Sequence, residues 1–146
     1  MAIGLFSKKQ PPAQDSRLQE LEAEYQNYRR RTRCAEDRAA SDAIRQTVLA
    51  FLPVYDDLVR ALGAPCQDEA YRKGIEMMMQ NLLSILASMK VVPMQSLGKC
   101  FNPDYHEAVS HVEDESAGAE RIVQVIQTGF TMDEEVIRHA KVIVAN

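Results

Sequence analysis

The sequence predicts an α+β chain. A long N-terminal helix pairs with a second copy, short helices complete a dimeric four-helix bundle, and a small, mostly antiparallel β domain follows. Three observations predict this. From Asp15 to Leu62 there is no glycine and a single proline, Pro53. Apolar or small side chains recur there in alternating steps of three and four, the spacing of one helical stripe. After Val91 the punctuation by Pro93, Gly98 and Pro103 and the Val/Ile-rich runs mark a change to strands.

Residues 1–14 are expected to be a disordered tail, since QPPAQ breaks a helix and nothing there is periodic. Asp15 and Ser16 offer helix caps. The first stripe is Leu18, Leu21, Tyr25, Tyr28, Thr32, Ala35 and Ala39. The second is Ile44, Val48, Phe51, Tyr55, Leu58 and Leu62, out of phase with the first by one step of five. A helix from 16 to 62 is on the order of 70 Å long. One chain of this size has too little mass to cover it, since its compact radius of gyration is about 15 Å. The stripe therefore calls for a second chain. Pro53 removes a backbone donor and clashes one turn back, so two segments are expected, 16–51 and 53–62.

GAPCQD, residues 63–68, is a turn, and residues 69–90 form another helix through Tyr71, Ile75, Met78, Leu82, Ile85, Leu86 and Met89. Two short helices per chain, doubled by symmetry, make a four-helix bundle. Residues 15–90 are thus the dimerisation part and residues 91–146 the β domain. Within it EAVSHVE (107–113), RIVQVIQTGF (121–130) and KVIVA (141–145) are strands, and SAGAE (116–120) is a loop. The residues expected in the dimer interface are Leu18, Leu21, Tyr25, Tyr28, Val48, Phe51, Tyr55, Leu58, Ile75, Met78 and Leu82.

Composition narrows the function. The chain is 46% hydrophobic and 26% charged, with no apolar run near the roughly 18 to 20 residues of a membrane span. No secretory signal is apparent at its start, which points to the cytoplasm. Cys34, Cys66 and Cys100 are far apart and form no CxxC pair, so a zinc or redox motif is not expected. Net charge is −4. Residues 1–100 carry 14 Lys+Arg against 12 Asp+Glu, and residues 101–146 carry 3 against 9, so phosphate would be repelled by the C-terminal third.

Arg29, Arg30, Arg31, Arg33, Arg38 and Arg45 crowd one stretch, interrupted by Glu36, Asp37 and Asp42. Consecutive helical residues point about 100° apart, so they cannot all enter one groove. A solvated helix face, contact with an acidic protein surface and nucleic-acid binding all stay open. HEAVSH (106–111) is one residue too long for the zinc-protease spacing. Met77, Met78 and Met79 fit a bundle core. No catalytic grouping, metal ligand set or phosphate loop emerges, and no cofactor, small-molecule substrate or membrane partner is expected. The chain reads as an interaction protein.

Several segments together resemble the GrpE family in order and spacing: NYRRRT (27–32), FLPVYDDLVRAL (51–62), KGIEMMMQNLLSIL (73–86), FNPDYHEAV (101–109) and VIQTGFTM through VIRHAKVIV (125–144). The resemblance implies a homodimeric nucleotide exchange factor that binds the ATPase domain of a DnaK-type chaperone and speeds ADP release without catalysis. It also implies a long helix pair that unfolds reversibly on heating. It places chaperone contacts at Arg29, Arg30, Arg38, Gly74 and Arg138, and Arg29, Arg30 and Arg138 are expected to donate to chaperone carboxylates. The alternative is a nucleic-acid-binding coiled coil using residues 27–45. Four positions depart from the family pattern. Asp133, Glu134 and Glu135 replace Asn-Gly-Arg in a hairpin, which predicts a wider turn because Glu resists positive φ. Thr128 replaces a lysine before Gly129.

Overall fold

A computed structural model describes residues 12–113, 118 and 120–145. Most of the expected tail and part of the 116–120 loop lie outside the described residues. The chain divides into two compact units, Met1–Asp42 and Ala43–Asn146.

In the first unit the chain is helical from Pro12, the start of α1 (Pro12–Gly63). The helix begins earlier than the expected caps because a proline in the first turn lacks only a donor that would have no partner there. From residue 15 to 42 every side chain is exposed except Thr32, which is half-buried. Among the described residues nothing covers the first stripe.

In the second unit α1 continues unbroken through Pro53, against the expected division. An internal proline costs a helix about 3 kcal/mol. Packing on both sides offsets it here: Val48 and Leu52 are buried and Tyr55 packs on the same cluster. Helix α2 (Glu69–Ser88) starts at its N-cap Asp68, whose carboxylate accepts from the backbone of Ala70 and Tyr71 at 3.0 and 3.1 Å. It ends two residues short of the expected 90, because Lys90 turns to a left-handed φ of 61° and enters a strand.

The rest forms two three-stranded sheets. The strands are β1 (Val91–Pro93), β2 (His106–Val112), β3 (Ile122–Gln127), β4 (Phe130–Met132), β5 (Glu135–Arg138) and β6 (Ala140–Ala145). The orders are β1-β4-β5 and β2-β6-β3. The β2–β6 pairing is parallel and the other three are antiparallel. Strands β1 and β5 were not foreseen from the sequence, being too short to show alternation. The expected single strand 121–130 is broken at Thr128–Gly129, where the chain leaves one sheet for the other.

Gly129 makes that crossing possible. A Cβ there would lie 2.6 Å from the Ala140 backbone nitrogen and 2.9 Å from the Arg138 carbonyl oxygen. Each sheet has its own core. Val91, Phe130 and Met132 pack with Val48, Leu52 and Leu86 of the helices. Ile122, Ala140, Val142 and Val144 form the other.

Candidate partner-binding surfaces

The second stripe of α1 proves to be two faces. Val48, expected at the dimer interface, is 2% exposed and packed on its own β1 and β4. Tyr55, also expected there, meets Phe130 edge-on at 5.0 Å. Leu52, which the stripe skipped, is 1% exposed and completes that inward face. Phe51 and Ile44 point away from it and stay exposed. With Leu82, Ile85 and Met89 they line an apolar groove of about 470 Å³ between α1 and α2. The spacing of three and four could not separate the faces, because a wide apolar arc satisfies it at several phases.

The other expected interface residues divide in the same way. Leu18, Leu21, Tyr25, Tyr28 and Met78 are exposed, Leu58 and Leu82 half-buried, and Ile75 buried. Among the described residues, uncovered apolar side chains thus lie on the first stripe and, in the second unit, along the groove.

Among the expected contact residues, Arg29, Arg30 and Arg38 are exposed on α1. Arg29 lies over the Tyr25 ring at 5.9 Å, and Arg30 donates to Asn27 Oδ1 at 3.3 Å. Both guanidinium groups are steadied by neighbours one turn earlier. Gly74 lies inside α2, and a Cβ there would meet nothing within 4 Å. Among the described residues nothing gives a reason for a glycine there.

Arg138 is held very differently. Its Nη1 and Nη2 donate to the two carboxylate oxygens of Asp56 at 2.7 and 2.8 Å. Nε and Nη2 donate to the Thr128 carbonyl at 3.1 and 2.7 Å. The guanidinium also lies over the Phe130 ring at 5.6 Å. Its side chain is 14% exposed and that of Asp56 21%. Gln127 Nε2 donates to the same Asp56 at 2.8 Å. Burial alone would raise the Asp56 carboxyl, but hydrogen bonds from Arg138 and Gln127 and the charge of Arg138 outweigh it and hold it below the ordinary value. Asp56 carried no signal of its own in the sequence, being one of an adjacent pair whose side chains diverge.

The hairpin between β4 and β5 is tight rather than wide. Met132 pairs with Glu135, leaving a two-residue loop. Asp133 and Glu134 both take positive φ, 48° and 71°. That is the pattern of a primed turn, achieved without glycine. Two of the hairpin acids have partners in the same chain. Lys90 Nζ lies 3.3 Å from Asp133, and Arg45 donates to Glu135.

His106 is buried and serves the β module. The Asn102 N–H donates to Nδ1 at 3.0 Å, so Nε2 carries the proton toward Ser96 Oγ, also 3.0 Å away. Among the described residues no group of His, Cys, Asp and Glu could hold a metal ion. Among them, too, no helix is long and apolar enough to cross a membrane.

Comparison with known proteins gives this arrangement its context. The model of the GrpE family matches residues 7–146. The chain is 37% identical over 134 residues to "Protein GrpE" of Clostridium acetobutylicum, covering 92% of this chain and 66% of that protein. It is 38% identical over 130 residues to "Protein GrpE" of Clostridium beijerinckii, covering 89% and 62%. For "Protein GrpE" of Bacillus velezensis the figures are 30% over 142 residues, 95% and 72%. The chain thus spans a little under two thirds of the first two relatives. None of these matches supports the nucleic-acid reading of residues 27–45. With its long helix, shorter helix and small mixed sheets, and a match that runs through both units, the chain belongs to the GrpE family.

Proposed function

We propose that this chain is a homodimeric nucleotide exchange factor for a DnaK-type chaperone, acting in the cytoplasm by binding and without a reaction of its own. The family match over residues 7–146 carries the reading. The open apolar surface supports the dimer. Leu18, Leu21, Tyr25 and Tyr28 lie uncovered along α1, and the groove at Phe51 and Ile85 is of a size to take side chains from a second copy. Paired in this way, α1 and α2 of two chains make the four-helix bundle.

The β module would press on the chaperone's ATPase domain and favour its open cleft. A partner that binds the open state better than the closed one shifts the population toward open. By linkage, bound nucleotide weakens the partner's hold by the same factor. ADP then leaves and ATP enters. Arg29, Arg30 and Arg38 are offered as contacts through planar donors to carboxylates. Gly74 is offered as a point of close approach, supported by the empty space over its Cα. Arg138 belongs to the same set, but its donors are engaged within the chain. Heat sensing fits too: with no side chain buried from 15 to 42, helicity there depends on the partner strand.

The deciding experiment is release of labelled ADP from the chaperone. The chain should accelerate it, with sedimentation showing a dimer at micromolar concentration. Unchanged release, or a monomer at all concentrations, would remove the reading.

A further inference from the structure

We infer that Asp56 and Arg138 are positioning residues for exchange: together they lock the β4–β5 hairpin against α1, so that Arg138 acts through the hairpin and not by touching the chaperone. The inference rests on the exchange reading and changes what Arg138 does within it.

The geometry carries it. Arg138 ends β5, and Asp56 lies on α1, 82 positions away. Two near-parallel donor–acceptor contacts fix the distance and the angle between them, which a single point charge cannot do. The Thr128 carbonyl takes two further donors, tying the crossing between the sheets to the same guanidinium. Four hydrogen bonds and an aromatic face therefore surround a group that is 14% exposed. To reach a chaperone carboxylate, Arg138 would have to abandon Asp56 and leave a half-buried carboxylate without its cation, held by Gln127 Nε2.

The remaining hairpin charges fit the same role. Asp133 faces Lys90 between α2 and β1, and Glu135 faces Arg45 on α1. The three ion pairs tie the hairpin tip to the α2–β1 junction and the start and end of β5 to α1. Arg45 and Asp56 are eleven residues apart, about three helical turns, so they lie on one face of α1 with Val48 and Leu52 between them. Two of the three acids that replace the family's Asn-Gly-Arg, Asp133 and Glu135, are thereby matched by bases of this chain.

The test uses the full chain and the full chaperone, reading ADP release as a function of exchange-factor concentration. Asp56→Asn and Arg138→Gln should each raise the half-saturating concentration about tenfold, and the double variant should be no worse than either single. Arg138→Lys, which keeps the charge and loses the fork, should behave as Arg138→Gln does. Val142→Ala, in the other core, should lower the melting temperature and leave half-saturation near wild type. That control separates positioning from loss of stability. Normal exchange by Asp56→Asn with a loss confined to Arg138→Gln would make Arg138 a direct contact and overturn the inference. So would multiplicative losses in the double variant, or wild-type behaviour of Arg138→Lys.

A second measurement needs no chaperone. Amide exchange at Val136 and Ile137 should speed up in Asp56→Asn, with β6 still protected. Unchanged protection there overturns the lock. If the wild-type chain fails to release ADP while the amides respond, the exchange reading fails and the lock stands.

Discussion

Asp56 on the long helix and Arg138 at the end of β5 share two hydrogen bonds of 2.7 and 2.8 Å, and this pair ties the helix to the hairpin. Removing one partner strands the other in a half-buried site. Asp56→Ala should lower unfolding stability by about 2 kcal/mol in urea titration. The pH dependence follows from the carboxyl being held below its ordinary 3.8. The unfolded state then binds the proton more readily, so the contribution is present above 3.8 and is lost as pH falls through it. An acid titration of Asp56→Asn should lack this component.

His106 should make the β module acid-sensitive at milder pH. Burial first, then the charges of Lys99 and His139, hold its imidazole below the ordinary 6.5. Its Nδ1 is already an acceptor for the Asn102 N–H. Protonation would set two donors against each other. Stability is therefore full above 6.5 and falls as pH drops below it. Urea midpoints should decline over that range for the wild-type chain and follow a flatter course for His106→Gln.

Gly129→Ala should be severe. The added methyl would stand 2.6 Å from a backbone nitrogen and 2.8 Å from Met94 Sδ. The sulfur can move and the Ala140 backbone cannot without parting the sheets. A loss of about 3 kcal/mol is expected, read as a lower melting temperature of the β module.

Gly74→Ala should do the opposite in the isolated protein. With open space over the Cα, alanine gains about 1 kcal/mol of helix propensity. Calorimetry should show a higher melting temperature. ADP release should weaken in the same variant if the bare surface of α2 receives the chaperone.

Glu134→Gly should stabilise the hairpin. Glu134 holds φ at 71°, where a side chain costs about 1 kcal/mol and glycine is unhindered. Asp133 and its pairing with Lys90 remain in place. A modest rise in the urea midpoint, with unchanged amide protection in β5, is the expected result.

The helices were readable because their signals are local. The apolar spacing of α2 and the glycine-free run of α1 report backbone preferences that neighbours in sequence supply. Val48 and Phe51 show where that reading stops. Both fit one helical stripe, yet one is buried by its own sheet and the other is left open, and only the position of β4 separates them. The break at Gly129 had a signal, a lone glycine in a Val/Ile run, which often marks close backbone approach. The Arg138 partner had none, because its carboxylate lies 82 positions away.

By itself the sequence determined the α+β order, the family and the long helix, since periodicity acts within a few residues. Tertiary structure alone decided which apolar face stays open, that Pro53 is carried within one helix, and that two acids close a tight turn. It also decided that Arg138 is spent on Asp56. Those outcomes depend on contacts between distant segments, and no local pattern encodes a distance across the fold.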